Sequence, residues 1–278
     1  MQKIEEKLPV LKSDDDIKFY LEHGPKFGNI LRILNKEISS MSITEYSKIS
    51  KRFKQLCRNT WKNYKIKFPF VDICNGYGDK FSKPICVSIN DTIAHGLDKK
   101  INKGDIVSID CGLAIKNKKR YLNFDAAFTT HTGIWKSDWI YAPALAINKI
   151  SRMQLKENTT TANISFMIES TAKENNLNIV VSVTGHGIGR KLHEPPYIHN
   201  ALGEFTPQKL INNMCFCVEP IFVLPAKNKE RNNISKVYID SDGWSIKSES
   251  GRPGSHFETM FCVYKNELVD LIGISNWG

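Results

Sequence analysis

The sequence lacks several features that mark membrane, secreted or metal-module proteins. Its 278 residues contain no run that approaches the roughly 18 apolar residues of a membrane-spanning helix. The opening stretch MQKIEEKLPVLKSDDD has no apolar core of the kind found in signal peptides. The seven cysteines are scattered and none lies in a CxxC pair, which argues against a disulfide framework and against a structural zinc module. We expect a cytoplasmic protein with reduced thiols and no membrane partner.

Acidic residues are too few to balance the basic ones. The chain has 39 Lys and Arg residues against 29 Asp and Glu residues, which gives a net charge of +10. Residues 1–70 hold 15 of these bases and 8 of these acids. Such an excess favours an anionic partner such as RNA through nonspecific electrostatic attraction. A solvated helix face in a lysine-rich protein is the alternative interpretation.

Hydrophobic spacing predicts helices and strands in a repeated order. We expect helices from Ser13 to about Ile38, from Thr44 to Tyr64, and over 138–153 and 161–175. Short β-forming runs follow each helical region, at 71–74, 85–89, 105–109, 126–130, 179–183, 215–218, 221–224, 243–246 and 257–264. Helices followed by strands, twice over, predict an α+β fold with mainly antiparallel sheet. We expect residues 13–278 to form one domain after an N-terminal extension of residues 1–12.

Four carboxylates lie where apolar strands are expected to begin or end. Asp110 closes the run IVSID and Asp125 opens DAAFTT. Glu219 ends CFCVE, and Glu258 lies inside HFETMFCV. A buried carboxylate among β-forming residues is costly unless it is paired, hydrogen-bonded or bound to a cation. One such acid is most simply a structural hydrogen-bond acceptor, whereas four of them favour a shared metal site.

The stretch VTGHGIGRKLHEPP contains two histidines, His186 and His193, between glycines and prolines. Its three glycines and its Pro-Pro pair indicate tight turns or close backbone approaches. This differs from the helical zinc pattern, in which two histidines one turn apart face the same way. A folded turn is therefore needed to bring the two imidazoles to one site.

The residue types also indicate which metal such a site would bind. Four carboxylates and one imidazole carry too much negative charge for one divalent ion, whereas two bridged ions would balance it. The oxygen-rich set suits Mn, Fe, Co or Zn. Two such ions lower the pKa of a bridging water and polarise a carbonyl oxygen, so hydrolysis is the expected reaction class.

Five sequence blocks together resemble the type I methionine aminopeptidases. The blocks are SINDTIAHG at 88–96, GDIVSID at 104–110, the stretch 184–196, VEP at 218–220 and FE at 257–258. The GHGIGRxxHE block is only moderately specific, because prolidases and proline aminopeptidases carry a similar one. The block with Asn90 and His95 separates methionine aminopeptidases from these proline-directed relatives.

The resemblance implies a fold and a division of roles among the acids. The fold is the pita-bread fold, in which two pseudo-symmetric αβ halves hold the metals between curved antiparallel strands. Asp110 would bind the second metal ion, and Asp125 and Glu258 would bridge both ions. His186 and Glu219 would complete the first site, and Glu219 would also act as the general base. Family members are commonly monomers, so we expect a monomer.

Contacts to the substrate follow from the same resemblance. His95 and His193 resemble two histidines that touch the substrate without being primary metal ligands. His95 would position the scissile amide or shuttle a proton, and His193 would hydrogen-bond the substrate carbonyl. The substrates would be peptides and nascent chains that begin with methionine. The pocket for the methionine side chain would be lined by sulfur and aromatic groups, namely Cys74, Tyr77, Cys86 and Trp244. For the two cysteines, ordinary packing as small buried residues is the alternative.

The sequence departs from this family in two places. The expected hairpin that carries the first two acids is lengthened by the polar run KNKKRY at 116–121. A longer hairpin tip would be harmless, whereas a slip in strand register would turn Asp125 away from the site. Beside Glu258, the residues His256 and Thr259 stand where the family has glutamine and histidine.

Two other functions remain open. One is a proline-directed peptidase of the same fold, against which the block around His95 argues. The other is a pita-bread protein that has lost catalysis and binds RNA or ribosomes, which the basic N-terminal region would suit. Such proteins usually lose metal ligands, whereas all five expected ligands are present here. In an active enzyme, the basic helix expected over 44–64 would instead dock near the ribosomal tunnel exit, and no DNA partner is expected.

Overall fold

The structure of the protein is a computed structural model, which describes residues 8–73, 80–81, 83–97, 100–133, 138–226 and 233–277. The α-helices of these residues are α1 (Asp14–Ser39), α2 (Tyr46–Thr60), α3 (Ala142–Ser151) and α4 (Thr161–Glu174). Short 3₁₀ helices span Pro69–Asp72, Asp138–Tyr141 and Ile274–Asn276. The strands are β1 (Ile66–Lys67), β2 (Ile85–Ile89), β3 (Thr92–Ala94), β4 (Ile106–Asn117), β5 (Arg120–His131), β6 (Asn178–Ile179), β7 (Gly185–Gly187), β8 (Glu194–Ile198), β9 (Cys215–Val218), β10 (Ile221–Val223), β11 (Val237–Ile239), β12 (Ile246–Ser248), β13 (Gly254–His256), β14 (Thr259–Tyr264) and β15 (Glu267–Asp270).

Helix α1 begins at a capped residue and continues through Pro25 to its end at Ser39. The hydroxyl of Ser13 accepts a hydrogen bond from the backbone N–H of Asp16, and the Asp16 carboxylate accepts one from the backbone N–H of Ser13. Acids in the first turn lie at the positive end of the helix dipole. The predicted first helix is confirmed. The second helix, α2, is shorter at both ends than the predicted 44–64.

The apolar side of α1 packs on the hairpin formed by β4 and β5. The ring centroids of Tyr20 and Phe27 lie 5.0 Å and 6.2 Å from that of Phe124 on β5. All three rings are fully buried, and burial of each contributes on the order of 2 kcal/mol.

No helix in the described part of the chain is long and apolar enough to cross a membrane.

The β4–β5 hairpin is regular from its base to its tip. Ile106 pairs with His131 at the base, and Asn117 pairs with Arg120 at the tip, without a shift in register between them. The polar run 116–121 therefore forms the end of the hairpin. The register slip that the extra residues could have caused does not occur. Lys118 and Arg120 at the tip form ion pairs with Asp15 and Asp16 in the first turn of α1. Strands β2 and β1 pair with the other edge of β4.

A second large sheet comes from the later half of the chain, and its strand order is β15-β14-β9-β7-β8. Two smaller sheets have the orders β13-β10-β6 and β11-β12-β3. A backbone bridge joins the two large sheets. The N–H of Glu258 donates to the carbonyl oxygen of Ala127 at 3.0 Å, and the N–H of Ala127 donates back at 3.2 Å. The strand pairs described are antiparallel apart from isolated bridges, so the predicted α+β class with antiparallel sheet is confirmed.

Some predicted strands are wrong or displaced. The run VDIC was predicted as a strand, but residues 69–72 form a 3₁₀ helix that begins at Pro69, whose fixed φ suits a helical first turn. The predicted strand 179–183 is reduced to the two-residue β6. The predicted strand 243–246 begins only at Ile246, because residues 240–245 form a turn in which the Asp242 carboxylate accepts backbone hydrogen bonds.

Candidate metal centre

The first two predicted metal ligands, Asp110 and Asp125, lie in the interior of long strands and not at strand ends. Asp110 is in β4 opposite Ala127, and Asp125 is in β5 opposite Gly112. Paired residues and alternate residues share a face of a sheet, so both carboxylates project from the same face. The sequence interpretation of strand-end acids is therefore wrong for these two. Strand β4 continues past Asp110 to Asn117, and β5 begins at Arg120, before Asp125. Cys86 on β2 lies opposite Asp110.

The other three predicted ligands come from the second large sheet. His186 is in β7, Glu219 follows the last residue of β9, and Glu258 precedes the first residue of β14. Nε2 of His186 lies 3.8 Å from Asp125 Oδ2, 3.9 Å from Glu219 Oε1 and 3.8 Å from Glu258 Oε1. The bridge between Ala127 and Glu258 brings the two sheets together at this point. The structure thus gathers ligand-type groups from both halves of the chain.

The second nitrogen of His186 fixes how the imidazole faces the acids. Nδ1 lies 3.0 Å from the carbonyl oxygen of Gly187, so a proton on Nδ1 is donated to this carbonyl. Nε2 is then the unprotonated nitrogen and faces the carboxylates, as in many metal-binding histidines. Gly187 itself needs to be glycine, since a Cβ there would lie 2.2 Å from the carbonyl oxygen of Pro195. The glycine-rich stretch therefore allows the close backbone approach that the sequence predicted.

Two further histidines flank the cluster. The ring centroids of His193 and His186 are 4.3 Å apart, so the folded turn does bring the two imidazoles together. His95 lies on the opposite loop with a φ of 52°, a left-handed conformation uncommon for a histidine. Asn90 holds the start of this loop, because its side chain donates to Asp105 at 2.9 Å and accepts from the N–H of Ile106 at 3.0 Å.

The carboxylates are held in a setting that disfavours their charge. Burial raises the pKa of Asp110 to about 7. Burial and the neighbouring acids raise the pKa values of Asp125, Glu219 and Glu258 well above their usual range. The imidazole offers no compensating charge, since burial lowers the pKa of His186 to about 3. Among the described residues, no lysine or arginine lines the cavity around these acids.

The donor atoms fit divalent cations. Asp110 Oδ1, Asp125 Oδ1 and Glu258 Oε1 are buried and accept no hydrogen bond from the described residues. Three sets of side chains each offer donor atoms that all lie within 4.8 Å of one another. The sets are Asp110, Asp125 and Glu258; Asp125, His186 and His193; and His186, Cys217 and Glu258. Buried oxygens without donors are costly unless a cation contacts them. The cluster therefore suits divalent metal of the kind that takes oxygen and imidazole ligands.

A cavity of about 290 Å³ opens beside the acids. Cys86 and Trp244 line it, as predicted for the substrate pocket, whereas Cys74 and Tyr77 lie outside the described residues. Sequence reasoning missed other wall residues, namely Phe70, Ile73, Phe81, Val183, Thr184 and Tyr197. The rings of Phe81 and Trp244 meet edge to face at 4.9 Å. Pro69 was the available sequence signal for this part of the wall, because it begins the 3₁₀ turn that contains Phe70 and ends before Ile73.

The two substitutions beside Glu258 take different places. His256 is buried, and its Nε2 lies 3.8 Å from Glu219 Oε2, on the side of that carboxylate away from His186. The hydroxyl of Thr259 instead donates to Asp270 at 2.6 Å and so belongs to the β14–β15 packing. Of the two departures, only His256 adds a group to the centre.

Comparison with known proteins assigns the class. The sequence profile of metallopeptidase family M24 matches residues 45–265. The chain belongs to metallopeptidase family M24. The methionine aminopeptidase of Mycoplasma capricolum is 29% identical over 215 residues, which cover 76% of this chain and 75% of that protein.

Solved structures show the same fold. The methionine aminopeptidase of Thermotoga maritima has a TM-score of 0.78 at 24% identity, over 95% of this chain and 99% of that one. The prolidase of Pyrococcus furiosus has a TM-score of 0.63 at 18% identity, over 97% of this chain and 67% of that one. The predicted pita-bread fold is therefore confirmed.

Proposed function

We propose that this chain is a type I methionine aminopeptidase, a cytoplasmic enzyme that hydrolyses the N-terminal methionine from peptides and nascent chains. Membership of family M24 and the similarity to methionine aminopeptidases support the proposal. The observation that carries it is the cluster of four acids and His186 beside an apolar cavity. This cluster is built from the chain's own residues and has the chemistry that metal-dependent hydrolysis needs.

The ligand assignment in this proposal follows the sequence resemblance to methionine aminopeptidases. Asp110 would hold one divalent ion, His186 and Glu219 would hold the other, and Asp125 and Glu258 would contribute to both sites. Bound ions of this kind supply an activated water and polarise the substrate carbonyl. The oxygen-rich donor set suits Mn, Fe, Co or Zn.

The chain's own groups handle the proton and the substrate. Glu219 lies beside the proposed ions and takes the proton of the attacking water as general base, later returning it to the leaving amine. His95 is neutral near pH 7, because burial lowers its pKa to about 4, and it positions the scissile amide. His193 lines the cavity next to His186 and donates a hydrogen bond to the substrate carbonyl.

The apolar part of the cavity receives the methionine side chain in this proposal. Cys86 and Trp244 line it together with Phe81, and thioethers make favourable contacts with aromatic rings. Cys74 and Tyr77 are proposed as further contacts on the basis of the sequence resemblance. An unbranched side chain suits such a pocket because dispersion contacts and burial, and not hydrogen bonds, supply the affinity.

Release of methionine from Met-Ala peptides tests the proposal. Purified protein supplied with divalent metal should release methionine. Chelation or Glu219→Gln should lower kcat by at least about 100-fold, because the general base and a metal ligand are lost. Glu267→Gln, at an exposed acid of β15, is the matched control and should retain wild-type activity. Full activity in Glu219→Gln would contradict the mechanism.

The same assay separates the alternatives. Preferential cleavage of X-Pro peptides over Met-Ala peptides would assign the chain to the proline-directed peptidases. Retention of no metal after supplementation would instead favour a non-catalytic protein that binds RNA or ribosomes.

We also propose that the enzyme acts as a monomer and docks on the ribosome through α2. Lys51 and Arg58 are exposed on this helix, whereas Arg52 is engaged with Glu37 at 2.7 Å. Reversal of Lys51 and Arg58 to glutamate should reduce co-sedimentation with ribosomes at low salt, because phosphate contacts are electrostatic. Unchanged co-sedimentation would remove this docking surface from the proposal.

A further inference from the structure

A buried ion pair joins the N-terminal segment to the turn that carries His193. Nζ of Lys12 lies 2.7 Å from Oε2 of Glu194, and the side chains are only 4% and 5% exposed. Glu194 directly follows His193 in the chain. The pair therefore lies one residue away from a group proposed to contact the substrate.

The backbone of Lys12 is fixed independently of its side chain. Its N–H donates to the carbonyl oxygen of Asn213 at 2.8 Å, and its own carbonyl oxygen accepts from Asn213 Nδ2 at 3.0 Å. The same Nδ2 donates to Asp14 at 3.1 Å, in the first turn of α1. Lys12 thus extends from a backbone tied to the second large sheet, and its ammonium reaches Glu194 from a rigid base.

Both oxygens of Glu194 are used to shape the turn 189–194. Oε1 accepts from the backbone N–H of Lys191 at 2.8 Å, while Oε2 accepts from Lys12. On the other side, the backbone N–H and the side-chain Nδ2 of Asn123 both donate to the carbonyl oxygen of Gly189 at 2.9 Å. A Cβ at Gly189 would lie 2.4 Å from Cε of Lys12, so a side chain at this position would displace the end of the lysine from its present place.

We propose that Lys12 and Glu194 are positioning residues that hold the turn 189–194 so that His193 faces the reaction site. This inference rests on the proposed function for the role of His193. A buried ion pair is a weak source of stability, because desolvation of both charges offsets most of their attraction. Its geometric effect is larger, since a misplacement of about 1 Å at a catalytic group can cost on the order of 100-fold in rate.

Replacement of both charges separates positioning from folding. A single replacement would leave one buried charge without a partner and would destabilise the protein, whereas Lys12→Met with Glu194→Gln leaves none. The amide oxygen introduced by Glu194→Gln can still accept from the N–H of Lys191, so the double variant should fold with a melting temperature near that of the wild type. Its kcat for Met-Ala peptides should fall by about tenfold or more, with a smaller change in KM. The matched control is Arg52→Met with Glu37→Gln, an ion pair between α1 and α2, which should leave kcat unchanged.

The effect should depend on His193. In a His193→Ala background, the double replacement should cause no further loss of kcat, because the group that it positions is absent. In a His95→Ala background it should cause its full loss, since His95 lies on another loop. Unchanged kcat in the double variant, or a full loss added to that of His193→Ala, would overturn the inference.

A readout without substrate keeps this inference distinct from the proposed function. Amide hydrogen exchange over residues 189–194 should be faster in the double variant than in the wild type, whether or not the protein releases methionine. If the wild type releases no methionine, the proposed function fails while the exchange result still decides whether Lys12 and Glu194 hold the turn. Equal exchange rates over 189–194 would overturn the positioning role.

Discussion

The metal centre and the N-terminal seam both bury acids, but they hold them in opposite ways. The seam consists of Lys12, Asp16, Arg120 and Glu194, in which each acid meets a base. Nη2 of Arg120 lies 2.6 Å from Asp16 Oδ2, and Nζ of Lys12 lies 2.7 Å from Glu194 Oε2. The acids of the centre face one another and His186 without such a base among the described residues.

The pKa values reflect this difference. Burial raises the pKa of Asp16, but hydrogen bonds from Arg120 and Ser13 outweigh it and leave the pKa below its usual value. In the centre, burial raises the pKa of Asp110 to about 7, and neighbouring acids raise the pKa of Asp125 further than burial alone. A buried acid that is paired with a base has its charge balanced within the chain. A group of buried acids without one either takes up protons or binds a cation from outside the chain.

The largest expected effect comes from exchanging one acid of each kind for its amide. Asp125→Asn should lower kcat/KM for Met-Ala peptides by more than about 100-fold and weaken metal binding measured by calorimetry, because a carboxylate proposed as a metal ligand is lost. Asp16→Asn should leave metal affinity unchanged and lower the melting temperature, because Arg120 loses its charged partner. Equal metal affinity in the wild type and Asp125→Asn would contradict the claim that the acids of the centre, unlike Asp16, bind metal.

A smaller effect is expected in the pH dependence of stability. For protein stripped of metal by chelation, the folded-state pKa of Asp110 is raised from 3.8 to about 7, so its folded form retains the proton that the unfolded chain releases. The free energy of unfolding should therefore fall as pH rises from about 4 to about 7. Asp16 has the opposite sign, since its pKa is lowered on folding and its contribution is lost as pH falls below 3.8.

Denaturant melts between pH 3 and pH 8 measure both slopes. Asp110→Asn should flatten the fall in stability towards neutral pH, and Asp16→Asn should flatten the fall at acid pH. An excess of divalent metal should reverse the first slope, because the ions bind the deprotonated carboxylates. A chelated wild type whose stability rises from pH 4 to pH 7 would contradict the raised pKa of Asp110.

The structure brings together the five residues that the sequence predicted as metal ligands. Each is an acid or histidine within an apolar or glycine-rich run, which is a local pattern, and the family resemblance implied their roles. The register of the β4–β5 hairpin could also be predicted, because the extra residues at 116–121 are polar and suit a hairpin tip. The continuation of β4 past Asp110 was missed because a charged residue inside a β-forming run was taken as its end.

Contacts between distant parts of the chain could not be predicted. Lys12 and Glu194 are 182 positions apart, and no local sequence pattern around either residue predicts a contact with the other. The cavity wall residue Phe81 was missed for a related reason. Its ring packs edge to face against Trp244, which lies far along the chain.

The bridge between Ala127 and Glu258 has a consequence for biosynthesis. The hairpin that carries Asp110 and Asp125 is made well before the segment that carries Glu258. Until that later segment has left the ribosome and paired with β5, the earlier acids lack the partners with which they would share a metal. A chain proposed to trim other nascent proteins is therefore unable to act on them until the segment with Glu258 has been made and has folded.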